Sequence, residues 1–255
     1  MNDLFIGGAG YGGPIFLGGL AYLDQKNLLD LKNVYGCSVG ALIVTSYALG
    51  IKPRQMFDFI KDIGFNFIRY DIKNIKDYHI IDDNALDKFL QIIDINKDNT
   101  NITLSEFKAK TGINVNIYAT DITNNLYKCF NNITDGHVKL KTALKASMSI
   151  PFLFKPVQID GNLYLDGCVK NLYGSPPRDI YICGYSFVIN TYDRDSYFIQ
   201  CLNAGIHSSK PRTTFLIDFD HLKGSDTYLK LDSIDVNFLT LMFKSGLERC
   251  KKQLI

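Results

Sequence analysis

The first forty residues constrain this chain more than anything that follows them. Leu4 to Ile6 is a short apolar run closed by Gly7, Gly8, Gly10, Gly12 and Gly13, the pattern of a buried strand running into a tight loop. Ile15, Leu17, Leu20, Tyr22 and Leu23 then recur near helical spacing. Val34 and Tyr35 form a second short strand, followed at once by Gly36-Cys37-Ser38-Val39-Gly40, a Gly-x-Ser-x-Gly sequence. The order predicted is strand, glycine loop, helix, strand, sharp turn, helix. Glycines on either side let the backbone turn tightly and push Ser38 out ahead of the next helix.

Two chemical parts are thereby brought close. A glycine loop at a helix N-terminus offers unpaired backbone N–H groups, which suit an anion. A serine on a strained turn suits a nucleophile. An oxyanion needs donors and a nucleophile within about 3 Å of one reacting carbon, and neighbouring ends of parallel strands supply both. Gly8-x-Gly10-x-x-Gly13 also matches the dinucleotide fingerprint. That motif wants an acidic residue at the end of the second strand. Here Val34-Tyr35 runs into Gly36-Cys37-Ser38, and Asp30 comes before the strand. The nicotinamide-nucleotide reading is therefore the weaker one.

With 255 residues, 46% of them hydrophobic and 21% charged, the chain reads as one domain spanning 1–255 with a sizeable core. A net charge of +2 gives no global drive toward nucleic acid. No charged region followed by an apolar stretch opens the sequence, and Gly40 to Ile51 is too short to span a bilayer, so a cytoplasmic location is expected. The six cysteines (37, 129, 168, 183, 201, 250) form no Cys-x-x-Cys pair, which argues against a zinc site or a disulfide framework.

Further along, Pro53 to Ile63 and Asp83 to Ile93 read as helices. The apolar stretch 64–81 reads as core, with an acyl-chain wall or lid as the alternative. Thr103 with Glu106 forms a capping box for another helix. Asn114 to Thr120 and Leu126 to Phe130 are strands, with Asp121 at the turn between them. Lys141 to Ser147 is a short helix. Pro156–Ile159 and Leu163–Leu165 form a hairpin around Asp160-Gly161. Tyr181–Cys183, Ser186–Asn190 and Thr213–Asp218 read as strands, and Ile199–Ile206 as a helix. Asp235–Cys250 is a helix with Val236, Leu239, Phe243 and Leu247 on one stripe. Its cationic end suits a helix C-terminus, or less simply an anionic lipid surface.

Ser38 needs a base. Ser38, Asp166 and His207 or His221 follow the chain order of an α/β-hydrolase triad. In that fold, however, several strands precede the nucleophile, and here only one strand and one helix precede its own strand. The alternative is a carboxylate acting directly. Three Asp-Gly pairs occur, at Asp135, Asp160 and Asp166, and the pair by itself signals a turn.

Gly8 to Leu20, Gly36 to Gly40, Tyr118 to Thr123, and Ala143 to Pro151 through Asp166-Gly167 together resemble the patatin-like phospholipases. The blocks keep that family's order over about the first two-thirds of the chain. The resemblance implies a three-layer α/β/α sandwich with a central, largely parallel sheet. It implies a Ser-Asp dyad with Ser38 as nucleophile and Asp166 as general base. The oxyanion hole falls at Gly8, Ala9, Gly10 and Tyr11, and Gly36 and Gly40 frame the nucleophile elbow. No cofactor and no metal are implied. The substrate is a phospholipid or other fatty-acyl ester, met by peripheral membrane contact; nothing fixes the oligomeric state. The sequence departs from the family at Gly12, where an Arg or Lys is usual, and at Cys168, where a Gly or Ala is usual. A binding protein of the same fold with weak or no activity is the alternative.

Overall fold

A computed structural model of the chain describes residues 1–8, 10–65, 67, 68, 72–82, 84–96, 99, 101–171, 180–183, 215–218 and 236–254. Eight described strands form one sheet: β1 (Asp3–Ile6), β2 (Asn33–Cys37), β3 (Asn114–Asp121), β4 (Leu126–Asn131), β5 (Val157–Ile159), β6 (Asn162–Asp166), β7 (Ile180–Cys183) and β8 (Phe215–Asp218). Their order is β5-β6-β3-β2-β1-β7-β8, with β4 also paired to β3. The run from β3 through β2, β1 and β7 to β8 is parallel, and β4 and β6 lie antiparallel to β3. This is an α/β fold with a mostly parallel sheet.

Seven α-helices are described: α1 (Gly13–Gln25), α2 (Val39–Ala48), α3 (Pro53–Ile63), α4 (Ala85–Leu90), α5 (Leu104–Thr111), α6 (Leu140–Met148) and α7 (Val236–Leu254). From β1 to β2 to β3 the chain steps in one direction across the sheet. Right-handed crossovers therefore place the connecting helices on one face. Leu4, Ile6, Val34, Val115, Ile117 and Ala119 point into that helical core, while Phe5, Cys37 and Tyr118 alternate to the opposite face. Because β7 adds to the free edge of β1, the winding reverses there. The carboxyl end of β1 is thus the switch point at which α/β sheets open a crevice.

Local signals explain most boundaries. Thr103 Oγ1 accepts from the Glu106 N–H at 3.2 Å while Glu106 Oε2 accepts from the Thr103 N–H at 2.7 Å, so the expected capping box opens α5. Gly112, left-handed at φ +72°, closes it. Asp160 and Gly161 both have positive φ, +48° and +83°, the backbone of a type I′ turn between β5 and β6.

Two expectations need correction. The helix expected over 83–93 is α for Ala85–Leu90 only and tightens to a 3-10 turn over Gln91–Asp94. The stripe on the last helix is also displaced: Leu239, Met242, Phe243, Gly246 and Cys250 are buried, whereas Val236 is exposed. Glycines set that face, because α7 meets α1 backbone to backbone. A methyl on Gly18 would overlap the Phe243 carbonyl, and one on Gly246 would overlap the Ile15 carbonyl. Within 64–81, Phe65 and Ile81 are buried in the main core and Tyr78 is exposed. The expected strand at 186–190 and helix at 199–206 lie outside the described residues.

Candidate active site

The register of β3 brings the two ends of the site together. From Asn114 to Tyr118 it pairs with β2, and from Ala119 to Asp121 with β6. Strand β4 occupies the opposite edge along both stretches, so β2 and β6 share one edge of β3, end to end. Strand β2 runs up to Cys37, opposite Tyr118. Strand β6 runs down to Asp166, opposite Ala119. The residue after Cys37 and the last residue of β6 must therefore meet. Ser38 Oγ donates to Asp166 Oδ2 at 2.6 Å, and the two residues are only 4% and 3% exposed.

Ser38 sits at φ +54°, ψ −134°, a backbone state that costs an L-residue on the order of 1–3 kcal/mol. Several features hold it there. A methyl on Gly36 would overlap the Ala41 backbone, and one on Gly40 would overlap the Ile6 and Gly7 carbonyls. The helix α2 starts at once, with the Ala41 N–H donating to the Ser38 carbonyl at 2.9 Å. The Ser38 N–H donates to Ser147 Oγ at 2.8 Å, and that hydroxyl donates in turn to the Tyr118 carbonyl at 2.6 Å. Ser147 is fully buried on α6, so this buried hydroxyl ties the elbow to β3.

Asp166 is fixed as tightly. Its backbone N–H donates to the Ser149 carbonyl at 2.8 Å, and its carbonyl accepts from Thr120 Oγ1 at 2.9 Å. Its second carboxylate oxygen accepts from the Cys168 N–H at 2.9 Å. Burial pushes this carboxyl up to about 6 from an ordinary 3.8, and the hydrogen bonds from Ser38 and Cys168 offset only part of that rise. Gly167 follows under the Tyr118 carbonyl and the Cys37 sulfur, with no room for a side chain.

The glycine loop borders the same point. A methyl built on Gly8 would lie 3.6 Å from Ser38 Cβ and would collide with Cys168 Sγ. Gly10 has φ +48° and opens a 3-10 turn, Gly10–Gly12, that leads into α1. Gly8 thus lies beside Ser38, and Gly10 and Tyr11 belong to the turn that opens α1, while Ala9 lies outside the described residues. Gly12 has φ −71°, an ordinary helical value that any residue adopts. The other carboxylates singled out in the sequence have roles of their own. Asp160 is exposed and faces His137 Nε2 at 2.9 Å. Asp135 holds Lys128 at 2.5 Å. Asp121 accepts from the Thr123 and Asn124 N–H groups, closing the β3–β4 turn. His207 and His221, the candidate triad histidines, lie outside the described residues.

Sequence reasoning did not single out Ser147, Thr120 or the Ser149 carbonyl. The available signal was Ser147 itself, a polar residue on the apolar face of a short helix. Nor does spacing reveal that Cys37 and Cys168, 131 residues apart, bring their sulfurs to 3.4 Å. Both thiols are free. Among the described residues no helix is long and apolar enough to cross a membrane.

Comparison with known proteins agrees with the fold. An uncharacterized protein of Acanthamoeba polyphaga mimivirus is 27% identical over 181 residues, covering 66% of this chain and 58% of that protein. The "Probable lipid hydrolase 463L" of Invertebrate iridescent virus 6 is 26% identical over 188 residues, covering 71% of this chain and 63% of that protein. The chain thus spans about three-fifths of the length of these curated relatives. Among solved structures, VipD from Legionella pneumophila shares the fold, with TM-score 0.58 and 14% identity over 99% of this chain and 66% of that one. A family model described as Patatin-like phospholipase matches residues 4–173, well over half of the sequence. The chain belongs to the patatin-like phospholipase family.

Proposed function

We propose that the protein is a serine-dependent lipid acyl hydrolase of the phospholipase A type, working through a Ser38–Asp166 dyad. The observation that carries the reading is the 2.6 Å hydrogen bond from Ser38 Oγ to a buried carboxylate. In the proposed reaction Asp166 accepts the hydroxyl proton as Ser38 Oγ attacks the ester carbonyl carbon. Negative charge grows on the carbonyl oxygen, facing in this reading the backbone N–H groups of Gly8, Gly10 and Tyr11 and the N-terminal ends of α1 and α2. The tetrahedral intermediate expels the lysolipid alkoxide, which takes the proton from Asp166 and leaves an acyl ester on Ser38. Water then attacks that ester with Asp166 again accepting the proton, and collapse returns the proton to Ser38 and releases the fatty acid.

The carboxyl's position near 6 fits this role. A base works best when its pKa lies close to the working pH, and at pH 7 about nine-tenths of such a group is ionised. General-base help of this kind contributes about 10²–10⁴ in rate, and each oxyanion donor about 10²–10³. Gly12 supplies no cation to the loop, so in this reading the loop stabilises the oxyanion through backbone donors and the helix dipole.

The test is fatty-acid release from phospholipid vesicles and from a chromogenic fatty-acyl ester by the purified chain. Turnover is expected in the wild type, with nearly complete loss in Ser38→Ala at unchanged fold. Equal turnover in wild type and Ser38→Ala overturns the assignment. No turnover in either favours a lipid-binding protein of the same fold.

A further inference from the structure

The proposed mechanism leaves two buried nucleophilic side chains unused, and both touch the dyad. Cys37 immediately precedes Ser38 and is fully buried; Cys168 lies two residues after Asp166 and is half-buried. Their sulfurs are 3.4 Å apart. The ligand atoms of Cys37, Asp166 and Cys168 all lie within 4.8 Å of one another. Two strand ends that approach along one edge of β3 have thus gathered two sulfurs and one carboxylate oxygen around a common point.

We infer that Cys37, Cys168 and Asp166 form a binding site for a thiophilic divalent cation of the Zn²⁺ or Cd²⁺ class, and that occupancy silences the dyad. Donor chemistry supports the choice of ion: two thiolates with one carboxylate suit Zn²⁺ or Cd²⁺ and not Mg²⁺ or Ca²⁺. So does size. Zinc–sulfur bonds of about 2.3 Å in a tetrahedron hold two sulfurs about 3.8 Å apart. The pair at 3.4 Å therefore needs to open by only a few tenths of an ångström, a movement open to the half-buried Cys168 side chain. Three protein ligands leave a fourth position for water or Ser38 Oγ. Both thiols give up a proton to solvent on binding, so uptake weakens as pH falls.

The consequence for catalysis is direct. An oxygen of Asp166 bound to the cation cannot accept the Ser38 proton. The metal also pins the elbow to the Asp-Gly turn. The silencing half of the inference rests on the dyad reading; the binding half does not.

Cd²⁺ is titrated into wild type, Cys168→Ser, Cys37→Ala and, as a control, Cys129→Ser, following the ultraviolet thiolate-to-cadmium absorbance. Saturation at one ion per chain is expected in wild type and Cys129→Ser. In Cys168→Ser and Cys37→Ala the affinity should fall at least about tenfold, the size of effect typical when metal-site residues are changed. Because hydroxyl replaces thiol at a half-exposed position, Cys168→Ser keeps the comparison available if Cys37→Ala does not fold. In parallel, Zn²⁺ should stop fatty-acid release in wild type, equal concentrations of Mg²⁺ should not, and Cys168→Ser should need at least tenfold more Zn²⁺. No saturable absorbance in wild type, or one unchanged in both cysteine variants, overturns the site. Equal Zn²⁺ inhibition of wild type and Cys168→Ser overturns the silencing role. A catalytically dead wild type that still shows the cysteine-dependent absorbance sinks the dyad reading and leaves the site standing.

Discussion

Replacing Asp166 by Asn removes the proposed base and, for the same physical reason, stabilises the fold. The buried carboxyl titrates near 6 in the folded chain against an ordinary 3.8. Below 3.8 both folded and unfolded chains hold the proton, and the site costs nothing. Between 3.8 and 6 the unfolded chain loses its proton while the folded one keeps it, so stability falls as pH rises. Above 6 the full cost of holding a buried anion persists. At about 1.4 kcal/mol per pH unit, the cost is about 1 kcal/mol at pH 4.5 and about 3 kcal/mol at pH 8. Asn keeps the shape and a hydrogen-bonding oxygen for the Cys168 N–H, but has no charge to bury. Its melting temperature should therefore gain on the wild type by about 2 kcal/mol more at pH 8 than at pH 4.5. For a chain of this size that is roughly 4–8 °C. The assay is thermal unfolding of both proteins at the two pH values, alongside fatty-acid release, which should fall about 10²–10⁴. In wild type the rate should rise with pH through about 6 and level off. A melting gap that is constant across pH, or that narrows as pH rises, refutes the claim that Asp166 is held as a costly buried anion.

The other predictions concern the elbow, the loop and the two candidate triad histidines. Ser38→Gly should abolish acyl release yet melt above Ser38→Ala by the equivalent of about 1–3 kcal/mol, since glycine relieves the φ +54° backbone that alanine keeps; equal melting temperatures count against stored strain. Gly12→Arg meets no backbone strain at φ −71° and, in a variant whose circular dichroism matches wild type, should raise the acylation rate by returning a cation to the loop; an unchanged or lower rate in such a variant denies the cation a part. Changing His207 and His221 together to Asn should leave fatty-acid release largely intact, whereas a loss of about 10⁴ restores a triad with histidine as base.

What was legible in advance, and what was not, divides along physical lines. Gly36-Cys37-Ser38-Val39-Gly40 announced its turn because glycine is required on both sides of it: each flanking residue lies where a methyl would strike backbone. The capping box at Thr103 and the turn at Asp160-Gly161 were equally plain, since both are local chemistry. The pairing of Ser38 with Asp166 was reached only through family resemblance. It depends on β2 and β6 ending at consecutive residues of β3, a matter of register that no single stretch encodes. Ser147 escaped for the same reason, its partners lying on two other elements. Val236 was misplaced because periodicity counted it as apolar and gave no weight to glycine. At Gly246 the missing side chain is what makes the contact.

The crossing of α1 and α7 has a consequence for how the protein comes to life on the ribosome. Ser38, Asp166 and the residues that hold them have all been synthesised by residue 168. The helix behind the glycine loop, however, still shows a bare seam at Ile15 and Gly18, waiting for Phe243 and Gly246. At ordinary rates of 5–20 residues per second, roughly 4–16 s of translation separate those events. During that interval the nascent chain carries Ser38 while the helix that follows the glycine loop still lacks this packing. A chain whose first helix is fully packed only when its last described helix arrives has a built-in delay between making the Ser38–Asp166 pair and completing the packing behind it.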